Sequence, residues 1–332
     1  MAGGGPRSNV AARAGTGRPY RRSRVAAMSP ILGLYLTAVL IWGSTWYVIE
    51  FQLGAVDPAV SVAYRFGLAA VLLMGWLVAR GQKLIPPRHA WRQVALVGTF
   101  TFSTNYLLVY LATERLPSGL VAVAGSALSL MNVLNARIFL RQPIRPLVLL
   151  GGLVGMTGVV LLFLPELQVD GLTGKAAVGL ALVMLSNVSA SLGSICVQRG
   201  AKLGVPLLPA TAWGMAFGAV LMVGVALARG AVFSFPASLS YVASLGYLAL
   251  FGSVIAFLAY FSLIGRIGAD RAGYVAVMIP ILALIISTIF EGYHWSAAAF
   301  IGLALAVAGN LLVLGPKTWR KPEADTAPAT AS

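Results

Sequence analysis

The chain is poor in the residues that carry most reactive chemistry. Its 332 residues hold one cysteine, Cys196, two histidines, His89 and His294, and nine acids against 24 Lys and Arg. A single cysteine excludes a disulfide framework within the chain. With only two histidines to join it, neither a zinc site nor a Cys/His nucleophilic pair is expected, and no cofactor is implied. An intramembrane enzyme would need an acid/base or nucleophilic constellation at one depth. Two histidines on opposite faces and no buried acid pair argue against that class. Charged residues make up only 10% of the chain while 59% is hydrophobic, with a mean hydropathy of +0.87. So much apolar surface cannot be hidden inside a water-soluble globule, and a bilayer is the expected solvent.

What is present is a series of long apolar runs, near residues 31–49, 58–79, 92–112, 118–138, 147–165, 174–197, 208–228, 239–263, 272–290 and 296–315. Each approaches the roughly 20 helical residues needed to cross hydrocarbon. They predict an all-α integral membrane protein of ten transmembrane helices. The net charge of +15 would suggest a nucleic-acid partner in a soluble protein. Here all basic residues except Arg65, Arg115, Lys175 and Arg229 fall in alternate loops and the termini. That asymmetry places both termini in the cytoplasm and makes nucleic acid an unneeded partner. Residues 1–29 read as a disordered basic tail rather than a cleavable signal, with Met28 an alternative start, and 317–332 as a second disordered cytoplasmic tail.

The sequence also repeats. Gly151, Gly158 and Pro165 return as Gly302, Gly309 and Pro316 at the same spacing, and Gly98, Tyr106 and Gly119 are echoed by Gly252, Tyr260 and Gly273. A duplicated unit with five helices, spanning 30–166 and 173–316, enters the membrane the second time from the opposite side. Two inverted five-helix repeats follow, a common plan for carriers. Because such repeats enclose a pathway within one chain, a monomer suffices, and a homodimer is compatible.

Every polar side chain within these runs is a candidate, since an ionised group at mid-bilayer costs several kcal/mol unless a partner receives it. Arg65 lies eight residues into the second run, about 12 Å deep at 1.5 Å per residue. It reads either as an anchor for an anionic solute or as a structural group paired with Glu50 or with a set of helix C-terminal carbonyls. Trp42, Trp46 and Glu50, spaced by four, share one face of the first helix. Asn187, Ser191, Ser194 and Gln198 draw a polar stripe along the sixth helix, either a water-lined path or interhelical hydrogen bonding. Asn105 and Tyr106 mark the third helix, Asn132 the fourth, and Tyr106 and Tyr260 occupy equivalent repeat positions. Pro280 interrupts the ninth helix. Glu291 ends it beside His294, either as a proton-exchanging group or as an ordinary interfacial acid.

Trp42-Gly43, Arg65-Phe66, Pro280, the Phe290-Glu291-Gly292-Tyr293 turn and a glycine-rich last helix ending Leu312 to Pro316 occur in this order. With ten helices in duplicated halves, the chain resembles the EamA-type family of the drug/metabolite transporter superfamily over residues 30–316. The resemblance implies an inner-membrane carrier, often an exporter of amino acids or other small metabolites, with a central cavity between the halves. Trp42, Arg65 and Pro280 would then stand near the cavity or its gates. The family's usual Pro in the fourth helix and Glu at its cytoplasmic end are replaced here by Ala127-Leu128-Ser129-Leu130 and Leu140-Arg141-Gln142-Pro143.

The combined expectation is export of a small polar solute by alternating access. Trp42, Arg65, Asn105, Tyr106, Asn132, Asn187 and Tyr260 would line its site, with Glu50, Pro280 and Glu291 in gating or ion coupling. Translocation of a lipid-linked or nucleotide-sugar substrate, or a sensor without flux, are the alternatives.

Overall fold

Uninterrupted apolar sequence with good helix formers leaves the backbone no partners in hydrocarbon but its own, so helices are the expected outcome. The structure is a computed structural model and describes residues 1, 20–141, 143, 144, 146–170, 174–267 and 275–314. The described chain is all-helical. Eight helices are long and apolar enough to span a bilayer. They are α1 (Tyr20–Glu50, its apolar part Pro30–Glu50), α2 (Pro58–Ala79), α3 (Arg88–Thr113), α4 (Ser118–Leu140), α5 (Pro146–Asp170), α6 (Lys175–Lys202), α7 (Leu207–Ala228) and α8 (Leu239–Tyr260). Two shorter apolar helices follow, α9 (Val275–Phe290) and α10 (Ala297–Leu314). Helix α1 starts within the stretch read from sequence as a tail. Most of the two expected tails, with Gly273 and Pro316 of the repeat, lies outside the described residues.

The helix ends follow local chemistry. Pro58 occupies the first turn of α2, where its missing N–H costs nothing, and the Asp57 carboxylate accepts the Ala59 N–H at 2.8 Å. Gly81, Gly204 and Gly230 lie just past the ends of α2, α6 and α7 with positive φ, the conformation that closes a helix without a Cβ clash.

The loops divide between two ends of the bundle, as their contacts record. At one end Arg229, after α7, pairs with Asp57, before α2, at 3.5 Å. There too Leu116, after α3, packs on Gly179 of α6, and Glu291, after α9, meets Ser118 of α4. At the other end the Trp213 indole N–H of α7 donates to Leu84 O before α3, and Arg199 of α6 donates to Phe139 O of α4. The carboxylates of Glu50, Asp57, Glu114 and Glu291 lie at the first end, in or beside the loops joining α1–α2, α3–α4 and α9–α10. Two of the three basic residues there, Arg115 and Arg229, are paired with acids. The opposite, basic end has no described acid.

Glycines set the closest helix pair. Helices α5 and α10 cross antiparallel so tightly that a Cβ on Gly151 would lie 2.8 Å from Gly309 O, and one on Gly302 would lie 2.6 Å from Gly158 O. Close approach of backbones through small residues is how helices associate when lipid removes the hydrophobic driving force. The glycines that announce the repeat are thus those that join its two copies. Elsewhere α2 packs along α7, α3 against α7 and α6, and α9 against α1 and α4. Large apolar side chains such as Val71, Leu153 and Val220 point outward from the bundle, as a lipid solvent requires.

Two helices are locally unwound into π-helical turns, α3 over Phe100–Thr104 and α8 over Leu250–Ile255. They sit at nearly equivalent places in the two halves. Such turns are rare and often mark functional positions, because the wider turn offers carbonyls to other partners. The Phe100 carbonyl accepts from Ser189 Oγ of α6 at 2.8 Å, and the Gly252 carbonyl accepts from Trp42 Nε1 of α1 at 3.2 Å.

Candidate functional site

Arg65 projects from α2 into the packing of α2, α3 and α8, where only 1% of it is exposed. Its Nε donates to Ser253 Oγ of the α8 π-turn at 3.4 Å, a long contact, and its guanidinium lies 4.5 Å from the Tyr106 ring centroid. A cation over an aromatic face is held by the ring quadrupole, with about 2 kcal/mol available when both are desolvated. Gly252 leaves room for the guanidinium, since a Cβ there would lie 3.4 Å from Nη2. Nη1 makes no hydrogen bond of regular geometry, and its polar neighbour is the equally buried Tyr110 hydroxyl, which interacts with the guanidinium. Arg65 is the one buried Lys or Arg among the described residues, and neither of the ion pairs found there includes it. The Glu50 pairing that the sequence left open does not form.

Around the guanidinium runs a chain of rings: Tyr106 to Phe66 at 4.7 Å, Phe66 to Phe102 at 5.3 Å, Phe102 to Phe257 at 5.9 Å, Phe257 to Trp42 at 5.4 Å and Trp42 to Tyr260 at 5.2 Å. Tyr106 and Tyr260, equivalent in the repeat, stand at its two ends. Trp42 is thus both a wall and a donor, its N–H on the α8 backbone and its ring in the chain.

The asparagines behave differently from one another. Asn187 of α6 is buried and donates to Ala124 O of α4 at 2.9 Å, and Asn135 of α4 donates to Ser191 Oγ at 2.9 Å. Asn187 and Ser191 of the α6 stripe tie α6 to α4, while Ser194 donates to Ala190 O of its own helix. Asn105 Nδ2 reaches the Thr101 carbonyl of its own helix at 3.5 Å. Asn132 is half-buried and its Oδ1 has no partner.

Glu291 caps a helix from another part of the chain. The first N–H of α4, on Ser118, follows Pro117 and receives no cap from its own loop. Glu291 Oε2 accepts it at 2.9 Å and also accepts the Ser287 hydroxyl at 2.6 Å. A carboxylate at a helix N-terminus is stabilised by the helix dipole as well as by the bond. Glu50 lies within electrostatic range of Glu291. At the same end Tyr47 stacks on Phe290 at 5.3 Å, and a Cβ on Gly119 would lie 2.8 Å from Ser287 Cβ. Residues 118–124 of α4 are buried on every side, whereas 127–134 are all partly accessible. Pro280 is buried at the middle of α9, where its ring removes the N–H that would bond Ala276 O.

Three contributors were missed in the sequence. Ser253 looked like any small residue beside a glycine, and Ser189 like one more serine in α6. Gln52, fully buried, donates to Tyr241 O and Ser244 Oγ at 3.1 and 2.6 Å. An amide two residues beyond Glu50 in the run Phe51-Gln52-Leu53 was the available signal.

Fold and site together define a multi-pass helical membrane protein organised around one buried cation. The family model described as "EamA-like transporter family" matches residues 29–164 and 177–315, and the chain belongs to that family. It is 30% identical over 291 residues to the Escherichia coli protein named "Uncharacterized inner membrane transporter YedA", covering 87% of this chain and 92% of that protein. It is 25% identical to "Protein PecM" of Dickeya dadantii, over 83% of this chain and 89% of that one. A solved structure described only as "Crystal structure of protein" aligns with a TM-score of 0.61 at 21% identity. That alignment covers 86% of this chain and 96% of the other and bears on fold alone. The chain is a multi-pass inner-membrane transporter.

Proposed function

We propose that the protein is a secondary carrier that exports a small polar metabolite bearing a carboxylate, such as an amino acid, by alternating access. In this reading ten helices form two inverted five-helix repeats, 30–166 and 173–316, with both termini cytoplasmic. The antiparallel meeting of Gly151 with Gly309 and of Gly158 with Gly302 supports the inversion. Pairing of the basic residues at one end with acids, leaving the other end strongly positive, supports the orientation.

The observation that carries the reading is Arg65, a buried guanidinium with no carboxylate partner among the described residues, held only by the Ser253 and Tyr110 hydroxyls and the Tyr106 ring. Leaving such a charge uncompensated costs several kcal/mol, a cost that an incoming carboxylate offsets. The same anion would draw the guanidinium off Tyr106, freeing that ring to contact the solute with Trp42 and Tyr260. Asn105 and Asn132 supply hydrogen bonds, while Asn187 keeps α4 and α6 together. The sealed end at Glu291 and the accessible α4 residues 127–134 fit a carrier open toward the cytoplasm, with Glu50, Glu291 and the Pro280 kink in its gate.

The test is solute flux in proteoliposomes, using labelled amino acids and small organic acids, with wild type, Arg65→Lys and Arg65→Ala. Saturable flux that Arg65→Ala abolishes and Arg65→Lys partly retains is expected. Undiminished flux in a folded Arg65→Ala protein would overturn the assignment of Arg65, and silence of the wild type across the panel would overturn the substrate class.

A further inference from the structure

A second charged site lies away from Arg65, at the basic end of the bundle. Helices α3 and α6 touch at Gly193 with Thr101 and at Gly200 with Gln93. Beside these contacts they flank an open cavity of about 400 Å³ whose accessible wall is mostly apolar, with the exposed side chains of its basic residues around it. Three of its lining residues are cations, Arg92 from α3 and Arg199 and Lys202 from α6, and none is an acid. No ion pair among the described residues engages any of the three. Arg199 spends one N–H on the Phe139 carbonyl, and the rest of its donors, with those of Arg92 and Lys202, are available. The fields of Arg199 and Arg92 converge on the Cys196 thiol in the cavity wall. The remaining wall is Gln93, whose Oε1 is buried without a partner, with the apolar Leu96 and Leu203, and Leu203 is more than half exposed. Trp91, next to Arg92, is exposed as well, the placement typical of an indole at a membrane interface.

We propose that this cavity binds a phosphate-bearing anion, with its charge between Arg92, Arg199 and Lys202, and that the headgroup of an anionic phospholipid is its source. The proposal uses none of the residues assigned to the transported solute. A scattered excess of Lys and Arg suffices for membrane orientation and requires no cavity. Here three cations from two helices converge on one, without a counter-charge, beside an apolar wall that an acyl chain can follow. Basic pockets between transmembrane helices are suited to such headgroups, because guanidinium and ammonium donors meet the phosphate oxygens while the chains remain in hydrocarbon.

Cys196, the sole cysteine, is the reporter. The full chain is placed in nanodiscs of phosphatidylcholine alone, of phosphatidylcholine with phosphatidylglycerol, or of phosphatidylcholine with added inorganic phosphate, and its alkylation by N-ethylmaleimide is timed. Phosphatidylglycerol is expected to slow Cys196 by about fivefold, the protection of a site about four-fifths occupied. The Arg92→Gln/Lys202→Gln variant should lose that protection. A Cys196→Ser/Ala201→Cys variant carries its thiol on the same end but outside the cavity, and corrects for the general effect of a negative surface. Slowing by inorganic phosphate as well would keep the anion site and assign it to a soluble phosphate. Equal rates in all three conditions, or equal slowing at positions 196 and 201, would overturn it. Because flux is not the readout, failure here leaves the carrier assignment standing, and failure of the flux experiment leaves this one standing.

Discussion

Glu291 and Arg65 illustrate how one residue can be judged only by what surrounds it. Both are charged groups in apolar sequence, yet Glu291 has an N–H and a hydroxyl bound to one oxygen, whereas Arg65 has a ring face and one long hydrogen bond. Replacing Glu291 by Ala removes the cap on α4 and is expected to lower stability by about 0.5–2 kcal/mol, with Glu291→Gln falling between it and wild type. Thermal unfolding of the three proteins in one detergent checks the order. Trp42→Phe keeps the ring among Phe257 and Tyr260 but leaves the Gly252 carbonyl without its indole donor. A loss of about 1 kcal/mol is expected, read in the same assay. An unchanged midpoint would mean that the Gly252 carbonyl has another donor.

At the scale of elements, two features recur in both halves. The first is the glycine-lined crossing of α5 and α10, where a side chain at Gly158, Gly302 or Gly309 has nowhere to go because the nearest atoms are backbone. Gly158→Val must push the helices apart and is expected to destabilise by about 1–3 kcal/mol. Gly224→Val in α7, where a Cβ would meet nothing within 4 Å, is the matched control and should cost far less. The second is the pair of π-turns. Each is held by a donor from a neighbouring helix, Trp42 of α1 on the α8 turn and Ser189 of α6 on the α3 turn. Since α1 and α6, like α3 and α8, hold equivalent places in the duplicated sequence, a comparable contact at a different register supports each turn. Ser189→Ala should therefore mimic Trp42→Phe in its effect on stability.

For the whole molecule the central asymmetry is between its ends. One is closed by Glu291 on Ser118, Tyr47 on Phe290 and Gly119 on Ser287, and the other leaves α4 accessible along residues 127–134. A carrier that alternates must open the first end in each cycle. Cysteines at positions 119 and 287, introduced as Gly119→Cys and Ser287→Cys in a Cys196→Ser background, have Cβ positions that a small relaxation brings into the range of about 3.5–4.5 Å for a disulfide. Oxidation is expected to lock that end and stop flux in proteoliposomes, and a reductant to restore it. Flux that continues through a complete crosslink would show that this end does not open during transport.

Membrane residence, the positions of the eight long spans and the family were all legible in the sequence, as were Arg65, Trp42 and Glu291 as residues of interest. The physical reason is that hydropathy, run length and glycine spacing are local properties, and a charge is conspicuous in any apolar run. The tertiary structure decided which of these polar groups are satisfied. Asn187 and Ser191 have the spacing of a water path but find partners on α4, Glu50 does not reach Arg65, and Ser189, Gln52 and Ser253 matter only through neighbours far along the chain. A hydrogen bond joins residues separated by up to 210 positions here, and no periodicity within one helix records which carbonyl of another helix will face it. The sequence by itself determined where the chain must live and what it must hide there. Its packing alone decided that the Arg65 cation would be buried without a carboxylate beside it, because the described acids sit toward the ends of the helices, where Asp57 and Glu291 meet helix N-termini.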